Sequence, residues 1–385
     1  MIPYGRQSLD QADIDAVVQV LESDWLTQGP TLERFEAAVA GRCEAAYGVA
    51  VCNATAALHI ACLAADLGPG DWLWTSPNTF LASANCARFC GASVDFVDID
   101  PLTWNLDVQA LAYKLEQAEQ QGRLPKVLIP VAFSGQSCDM RAIAALAERY
   151  GFIVIEDASH AVGARYAGRP VGCGDYAAMT VFSFHPVKII TTGEGGMVLT
   201  NRPELAERLR RLRSHGMTRD PAQMDEASHG PWYYQQVELG FNYRMTDMQA
   251  ALGLSQLGKL EAFVERRRQL AARYHSLLAG LPLQLPAAQV EAESAWHLYV
   301  VRLQTERIGK SHREVFEALR EAGIGVNLHY IPVHLQPYYR ALGFAPGDFP
   351  EAERYYGQAL TLPLYPAMSE AEQDTVVRQL QQSVR

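Results

Sequence analysis

Three kinds of feature are scarce in this chain of 385 residues. It has seven cysteines, Cys43, Cys52, Cys62, Cys86, Cys90, Cys138 and Cys173, and no CxxC pair among them. An odd, scattered set of thiols builds neither a disulfide framework nor a zinc site, and it suits a reducing compartment. No stretch is an unbroken apolar run of membrane-spanning length, and Met1 to Asp10 has no signal-peptide core, so the expected location is the cytoplasm. Basic residues are in deficit: 33 Lys and Arg stand against 43 Asp and Glu, a formal net charge of -10. A general nucleic-acid or anionic-membrane surface needs clustered basic residues, so neither partner is expected. An anionic substrate must then meet positive charge locally. The ten histidines include no HExxH spacing, and no metal is expected.

Two phosphate-binding signatures also fail. Gly253 to Leu260 comes within one residue of a P-loop, but Leu260 stands where a magnesium-binding hydroxyl is required. Gly193-Glu194-Gly195-Gly196 lacks the third glycine of a dinucleotide fingerprint and precedes a strand instead of opening a helix.

What is present is a 49% hydrophobic composition, enough for a large core divided between two domains. The stretches Val94 to Val97, Lys126 to Val131 and Phe152 to Ile155 alternate with helical patterns such as Met140 to Tyr150, the rhythm of a parallel sheet with crossover helices. The character changes at the long helix Glu261 to Ala279, and Pro282 to Pro286 leads into a smaller α+β unit. Domains 1-260 and 261-385 are therefore expected. The basic helix Pro203 to Arg213 reads as a solvated face, and Thr218 to Gly230 as a loop without a core pattern.

One lysine stands out. Val181, Phe182 and Phe184 read as a buried strand, and Lys188 follows before the turn at Gly193, Gly195 and Gly196. A lysine entering a partly dry pocket from a strand end has a lowered pKa, and its neutral amine can form a Schiff base with an aldehyde. Ser183 on the same segment offers a hydroxyl to a phosphate. Val154 to Asp157 is an apolar strand ending in a carboxylate, the partner that a pyridinium nitrogen requires. Val49 to Leu58 reads as strand, turn and helix start, where Ala54, Thr55 and Ala56 present free N–H groups to a phosphate. In such sheets ligands bind beyond the carboxyl ends of the strands, and Thr55, Phe80, Asp157 and Ser183 all fall there.

Asn53 to Leu58, Glu156 to His160, Ser183 to Lys188 and Gly240 to Arg244 together resemble the DegT/DnrJ/EryC1/StrS family of sugar aminotransferases, over nearly the whole chain. Ile2 to Tyr4, Ser23 to Pro30, Ile190 to Gly196 and Ser214 to Met217 are similar to members acting in pseudaminic acid biosynthesis. The resemblance implies a fold-type I pyridoxal 5'-phosphate enzyme, α/β, with a mainly parallel sheet and a smaller C-terminal α+β domain. It implies that Lys188 carries the cofactor, Asp157 holds the ring nitrogen, Phe80 stacks on the ring, and His160 contacts the ring hydroxyl. Ser183 with Ala54, Thr55 and Ala56 would hold the phosphate. Asn242 would reach the phosphate of a neighbouring subunit, making a homodimer with shared active sites. Tyr4, the loop Asp24, Trp25, Leu26 and Thr27, and the loop His329, Tyr330 and Ile331 would line the nucleotide-sugar site. Arg219, in the polar loop, is the candidate for a diphosphate.

The implied reaction moves an amino group from L-glutamate to C4 of a UDP-linked 4-keto-6-deoxy-2-acetamido sugar of L-configuration, giving the 4-amino-L-altrose derivative. The chemistry alone fits other nucleotide-linked keto sugars. An amino-acid aminotransferase would need an arginine for the α-carboxylate, with Arg302, Arg320 and Arg340 as candidates. A sugar dehydratase of the family has histidine in place of Lys188, and a cofactor-binding sensor without turnover would be expected to carry a helix-turn-helix segment.

Overall fold

The computed structural model describes residues 1–384. Its centre is a seven-stranded sheet of β1 (Tyr47–Val51), β2 (Trp72–Thr75), β3 (Ser93–Phe96), β4 (Val127–Ile129), β5 (Ile153–Asp157), β6 (Met179–Ser183) and β7 (Gly196–Thr200). The strand order is β1-β7-β6-β5-β4-β2-β3. Strands β2 to β6 are mutually parallel, and β7 alone runs antiparallel, against both β6 and β1. The expected α/β sheet is thus mainly parallel.

Helices cover both faces, which explains why β4, β6 and β7 are buried at every residue. Period-two alternation divides these strands between two cores. Val49, Val51, Ile155, Val181 and Val198 pack with α3 (Ala54–Ala64) and α4 (Ala82–Phe89). Ala50, Phe182, Met197 and Leu199 pack instead with α2 (Pro30–Arg42) and α8 (Asp247–Leu257). Helix α3 is buried at every residue from Ala56 to Cys62, because helices flank it as well as the sheet.

A third core gathers residues from Leu270 to Val384. It includes α9 (Leu260–Leu278) and the strands Leu283–Gln284, Tyr299–Leu303 and Ala359–Leu362. Two segments cross between this unit and the sheet. The first strand, Ile2–Pro3, pairs in parallel with Ile324–Gly325, while Val333, Tyr339, Phe349 and Tyr355 join the core under α3 and α4.

The helix Pro203–Arg213 forms with its expected bounds, but of its four arginines only Arg210 lies on a solvated face, the other three being partly buried in ion pairs. Arg208 and Arg211 share Glu238, and Arg213 pairs with the buried carboxylate of Glu36 while donating to the Ala50 carbonyl at 2.7 Å. A basic run gives no hint of partners contributed by distant segments. The loop after Met217–Thr218 returns to pair with Gln235–Gln236, a short ribbon that carries exposed Trp232 and Tyr234.

Candidate active site

Strand direction places the reactive groups. Because β7 is the only reversed strand, β1, β2, β5 and β6 all end at one edge of the sheet, and β7 begins there. Gly196 pairs with both Ser183 and Val51, so the Ser183 residue and the turn into α3 stand side by side. A Cβ on Gly196 would lie 2.7 Å from the Ala54 nitrogen and from the Asn53 carbonyl, so only glycine permits this approach.

A cavity of about 590 Å³ opens at this edge. Of the expected cofactor residues, Ala54, Thr55, Phe80, Asp157, His160, Ser183 and Lys188 line it, as do Tyr4, His329 and Tyr330 of the expected substrate residues. Ala56 lies one step inside α3, where its N–H is already taken by Asn53 Oδ1 at 2.8 Å. Ile331 is exposed and outside the lining, as are Asp24, Trp25, Leu26, Thr27 and Asn242.

Each polar group in the cavity has a definable state. The Lys188 amine is enclosed by the cavity walls, and this desolvation lowers its pKa to about 8, partly opposed by the Asp157 carboxylate. Asp157 is buried. Its Oδ2 accepts from Ser83 Oγ at 2.6 Å and its Oδ1 from the Ser159 N–H at 3.1 Å. Ser83 Oγ is also 2.8 Å from Thr79 Oγ1, which fixes the serine in turn. His160 Nε2 lies 3.1 Å from Tyr330 Oη, and burial together with Lys188 and His329 holds the imidazole well below its usual pKa. His329 bonds Thr361 Oγ1 through Nδ1 at 2.9 Å, and burial pushes its pKa down to about 3. Three neutral imidazoles therefore surround the amine, since His297 is buried against His160 with ring centroids 4.5 Å apart.

These groups fit pyridoxal phosphate. The amine has the pKa for attack on an aldehyde, and the buried carboxylate stands at the end of the adjacent strand. Helix geometry leaves the first N–H groups of α3 without intrahelical acceptors, and Gly196 leaves room beside them. Ser183 Oγ accepts from the His185 N–H at 3.5 Å, which leaves its own hydrogen free to donate.

Several residues of this site escaped sequence reasoning. Asn53 was readable, because an asparagine directly before a helix is an N-cap signal. Ser159 was also readable, two positions beyond Asp157, but Ser83, His297 and Asn327 left no local sign, since Ser83 reaches Asp157 across 74 positions and the other two come from the C-terminal unit. Among the described residues no arginine lines this cavity, and Arg302 is bound to Gln358 and the Pro101 carbonyl.

The outlying residues form a second group. Thr27 bridges to Thr246, Asp247 N–H bonds the Leu26 carbonyl, and buried Asp247 accepts from the N–H groups of Gly29, Thr31 and Leu32. Phe241 and Tyr243 stack at 4.9 Å and pack on His59, so alternation turns Asn242 between them outward. Beside this group lies a second cavity of about 520 Å³, reached by Gln28, Ser214, Arg210, Arg213 and Arg244.

The model of the DegT/DnrJ/EryC1/StrS aminotransferase family matches residues 7–381. The spore coat polysaccharide biosynthesis protein SpsC of Bacillus subtilis is 41% identical over 388 residues, covering 100% of this chain and 97% of the relative. Among solved structures, the putative sugar aminotransferase Spr1654 from Streptococcus pneumoniae in its PMP-form superposes with a TM-score of 0.90 at 30% identity, over 100% of this chain and 99% of that one. Helicobacter pylori PseC, an aminotransferase involved in the biosynthesis of pseudoaminic acid, gives 0.89 at 28% identity, over 99% and 98%. With its lysine, carboxylate and helix start gathered at one sheet edge and its relatives matching from end to end, this chain belongs to the DegT/DnrJ/EryC1/StrS aminotransferase family.

Proposed function

We propose that this sugar aminotransferase transfers the amino group of L-glutamate to C4 of UDP-2-acetamido-2,6-dideoxy-β-L-arabino-hex-4-ulose, giving UDP-4-amino-4,6-dideoxy-N-acetyl-β-L-altrosamine for pseudaminic acid. The observation that carries the sugar reading is the match to the sugar aminotransferases along the whole chain, with the Lys188 cavity supplying the buried lysine and carboxylate that the chemistry needs. The likeness to PseC supports the choice of sugar. We place the enzyme in the cytoplasm, in keeping with its seven free cysteines, as a homodimer of chains with a large cofactor unit (1–260) and a smaller unit (261–385).

The cofactor is pyridoxal phosphate, as in the PLP-form of Spr1654, and when bound it supplies an aldehyde for the amine and an electron-withdrawing ring. Everything else falls to the protein. Lys188 Nζ carries the cofactor and then moves a proton, a task suited to a pKa of about 8 because such an amine both accepts and releases protons near neutrality. Asp157 keeps its charge against the ring nitrogen, held in place by Ser83 and Ser159. Ser183 and the N–H groups at the start of α3 bind the phosphate. Phe80 lines the cavity with its ring against that of Tyr330, centroids 6.0 Å apart, and would offer its face to the cofactor ring. Tyr330 steadies His160, and Tyr4 with His329 closes the sugar side. Asn242, turned outward, serves the phosphate of the second subunit.

Product analysis decides between substrates. Purified protein with L-glutamate and a panel of nucleotide-linked 4-keto sugars should turn over the L-configured UDP sugar fastest. Faster turnover of the D-configured epimer, or of a GDP- or dTDP-linked sugar, would replace the substrate while keeping the aminotransferase.

A further inference from the structure

A cluster of thiols lies at the interface of α3 and α4, outside the lining of the Lys188 cavity and unused by the proposed reaction. Cys62 and His59 belong to α3, Cys86 belongs to α4, and Cys90 caps the C-terminus of α4. Both helices bury alanines, Ala57, Ala61 and Ala64 on one and Ala84 and Ala87 on the other, and such small side chains let them pack closely. The Cys62 thiol is within hydrogen-bonding reach of both Cys86 and Cys90. Cys90 also meets His59, with its Sγ 4.0 Å from the His59 carbonyl and the imidazole in reach. Among the described residues no group of His, Cys, Asp or Glu has the arrangement of a metal site, so the cluster is read by its thiol chemistry.

The three thiols are not equivalent. Cys62 and Cys86 are fully enclosed, whereas Cys90 sits between exposed Phe89 and Gly91 at the end of its helix. Cys90 accepts a hydrogen bond from Cys62 and contacts His59, and together these hold its thiol below the usual range against the effect of burial. Cys62 is held well above that range by its bonds to Cys86 and Cys90 and by burial. The pair thus divides into a sulfur that ionises readily near the surface and a neighbour that keeps its proton.

We propose that Cys90 and Cys62 form a peroxide-oxidisable pair that closes reversibly into a disulfide between α4 and α3. The Cys90 thiolate attacks one oxygen of hydrogen peroxide, the O–O bond breaks and hydroxide leaves, so Cys90 becomes a sulfenic acid. The Cys62 sulfur then attacks the Cys90 sulfur, the S–O bond breaks and water leaves. In sum the two thiols lose two electrons and two protons, and the peroxide becomes two waters. A thiol reductant reverses the bond by exchange. The link ties α3, whose start opens on the Lys188 cavity, to α4, whose Ser83 holds Asp157.

The cofactor-loaded enzyme is treated with hydrogen peroxide, its remaining thiols are alkylated, and its peptides are mapped by mass. Cys62 should be found joined to Cys90, and dithiothreitol should restore both thiols. Loss of free Cys90 should be at least about tenfold faster than loss of Cys43 or Cys138, since burial pushes both of those thiols up to about 12. In Cys62→Ala the sulfenic acid at Cys90 should persist and be captured by dimedone, and in Cys90→Ala the Cys62 thiol should stay reduced. Cys62 and Cys90 both alkylated after peroxide treatment would overturn the proposal. So would a disulfide formed first at another pair, such as Cys43 with Cys173, or conversion of Cys90 to a sulfinic acid that dithiothreitol does not reverse. The wild-type map alone decides these outcomes, whether or not the variants fold.

Discussion

The Lys188 cavity and the Asn242 face differ in how they are built. The first is enclosed, and its reactive groups gather along one sheet edge, where Asp157 and His160 have bonding partners in the same chain. The second is exposed, with its backbone locked by Asp247 and by stacked aromatics, while the side chains of Asn242, Arg210 and Arg244 make no hydrogen bond or ion pair among the described residues. Groups that perform chemistry are fixed by topology. The groups proposed to meet a second subunit are fixed in backbone and left open in side chain.

The largest effect should come from breaking the first region at its centre. Lys188→Ala is expected to lower turnover by ~10⁴-fold or more, because one amine both holds the cofactor and moves the proton. Borohydride reduction followed by peptide mapping should label Lys188 in the wild type and no lysine in the variant. The pH dependence is specific. With a pKa of about 8, roughly a tenth of the amine is neutral at pH 7, so covalent capture of the cofactor by the cofactor-free enzyme should speed up with rising pH and level off above about pH 8. A plateau only near pH 10 would show that the cavity does not desolvate the lysine.

Next in size is Asp157→Asn. The amide cannot carry the charge that the ring nitrogen needs, and a single-turnover rate lower by ~10²-fold or more is expected, with the fold retained. Near-wild-type single turnover would mean that another group protonates the ring.

The second region should break differently. Asp247→Ala leaves the N–H groups of Gly29, Thr31 and Leu32 without their acceptor, so a loss of ~2–4 kcal/mol in folding free energy is expected. The sharper readout is location. Hydrogen exchange should quicken in residues 23–32, while borohydride capture of the cofactor by Lys188 persists. Loss of that capture in folded protein would show that the two regions are not separately built.

The smallest effect sharpens the comparison from outside both sites. Glu156 adjoins Asp157 in sequence but is bonded by Ser137 and Thr180, and burial raises its pKa from 4.5 to about 7. Its folded pKa lies above the unfolded one, so the folded state binds the proton more tightly. Stability from this group is present below about pH 4.5 and is lost as pH rises through 7. Glu156→Gln should remove that slope and stabilise the protein by ~1–3 kcal/mol above pH 7, read by denaturant melts at several pH values. An unchanged slope would assign it to other groups.

Much of the first region was legible because it is local. An apolar strand ending in a carboxylate, a strand followed by a lysine, and an asparagine before a small-residue helix each announce themselves within a few residues, and parallel-sheet topology brings such ends together. The helices Met140–Tyr150 and Pro203–Arg213 have their expected bounds for the same reason. The histidines of the His329 to His334 loop were not legible. Two histidines in a turn suggest exposure, yet both are buried because the loop packs under the sheet edge and bonds Thr361 and Glu353.

By itself, then, the sequence determined the class of sheet, the lysine and its carboxylate, and the start of the phosphate-binding helix, because short-range patterns of polarity and turn chemistry specify them. The tertiary structure alone decided that Ser83 braces Asp157 from 74 positions away, that Arg213 is spent on Glu36, and that the 24–27 loop and Asn242 stand outside the lining of the Lys188 cavity. Those arrangements depend on which strand runs antiparallel and on which segments cross between cores. Contacts of that kind join residues whose local sequences carry no trace of one another.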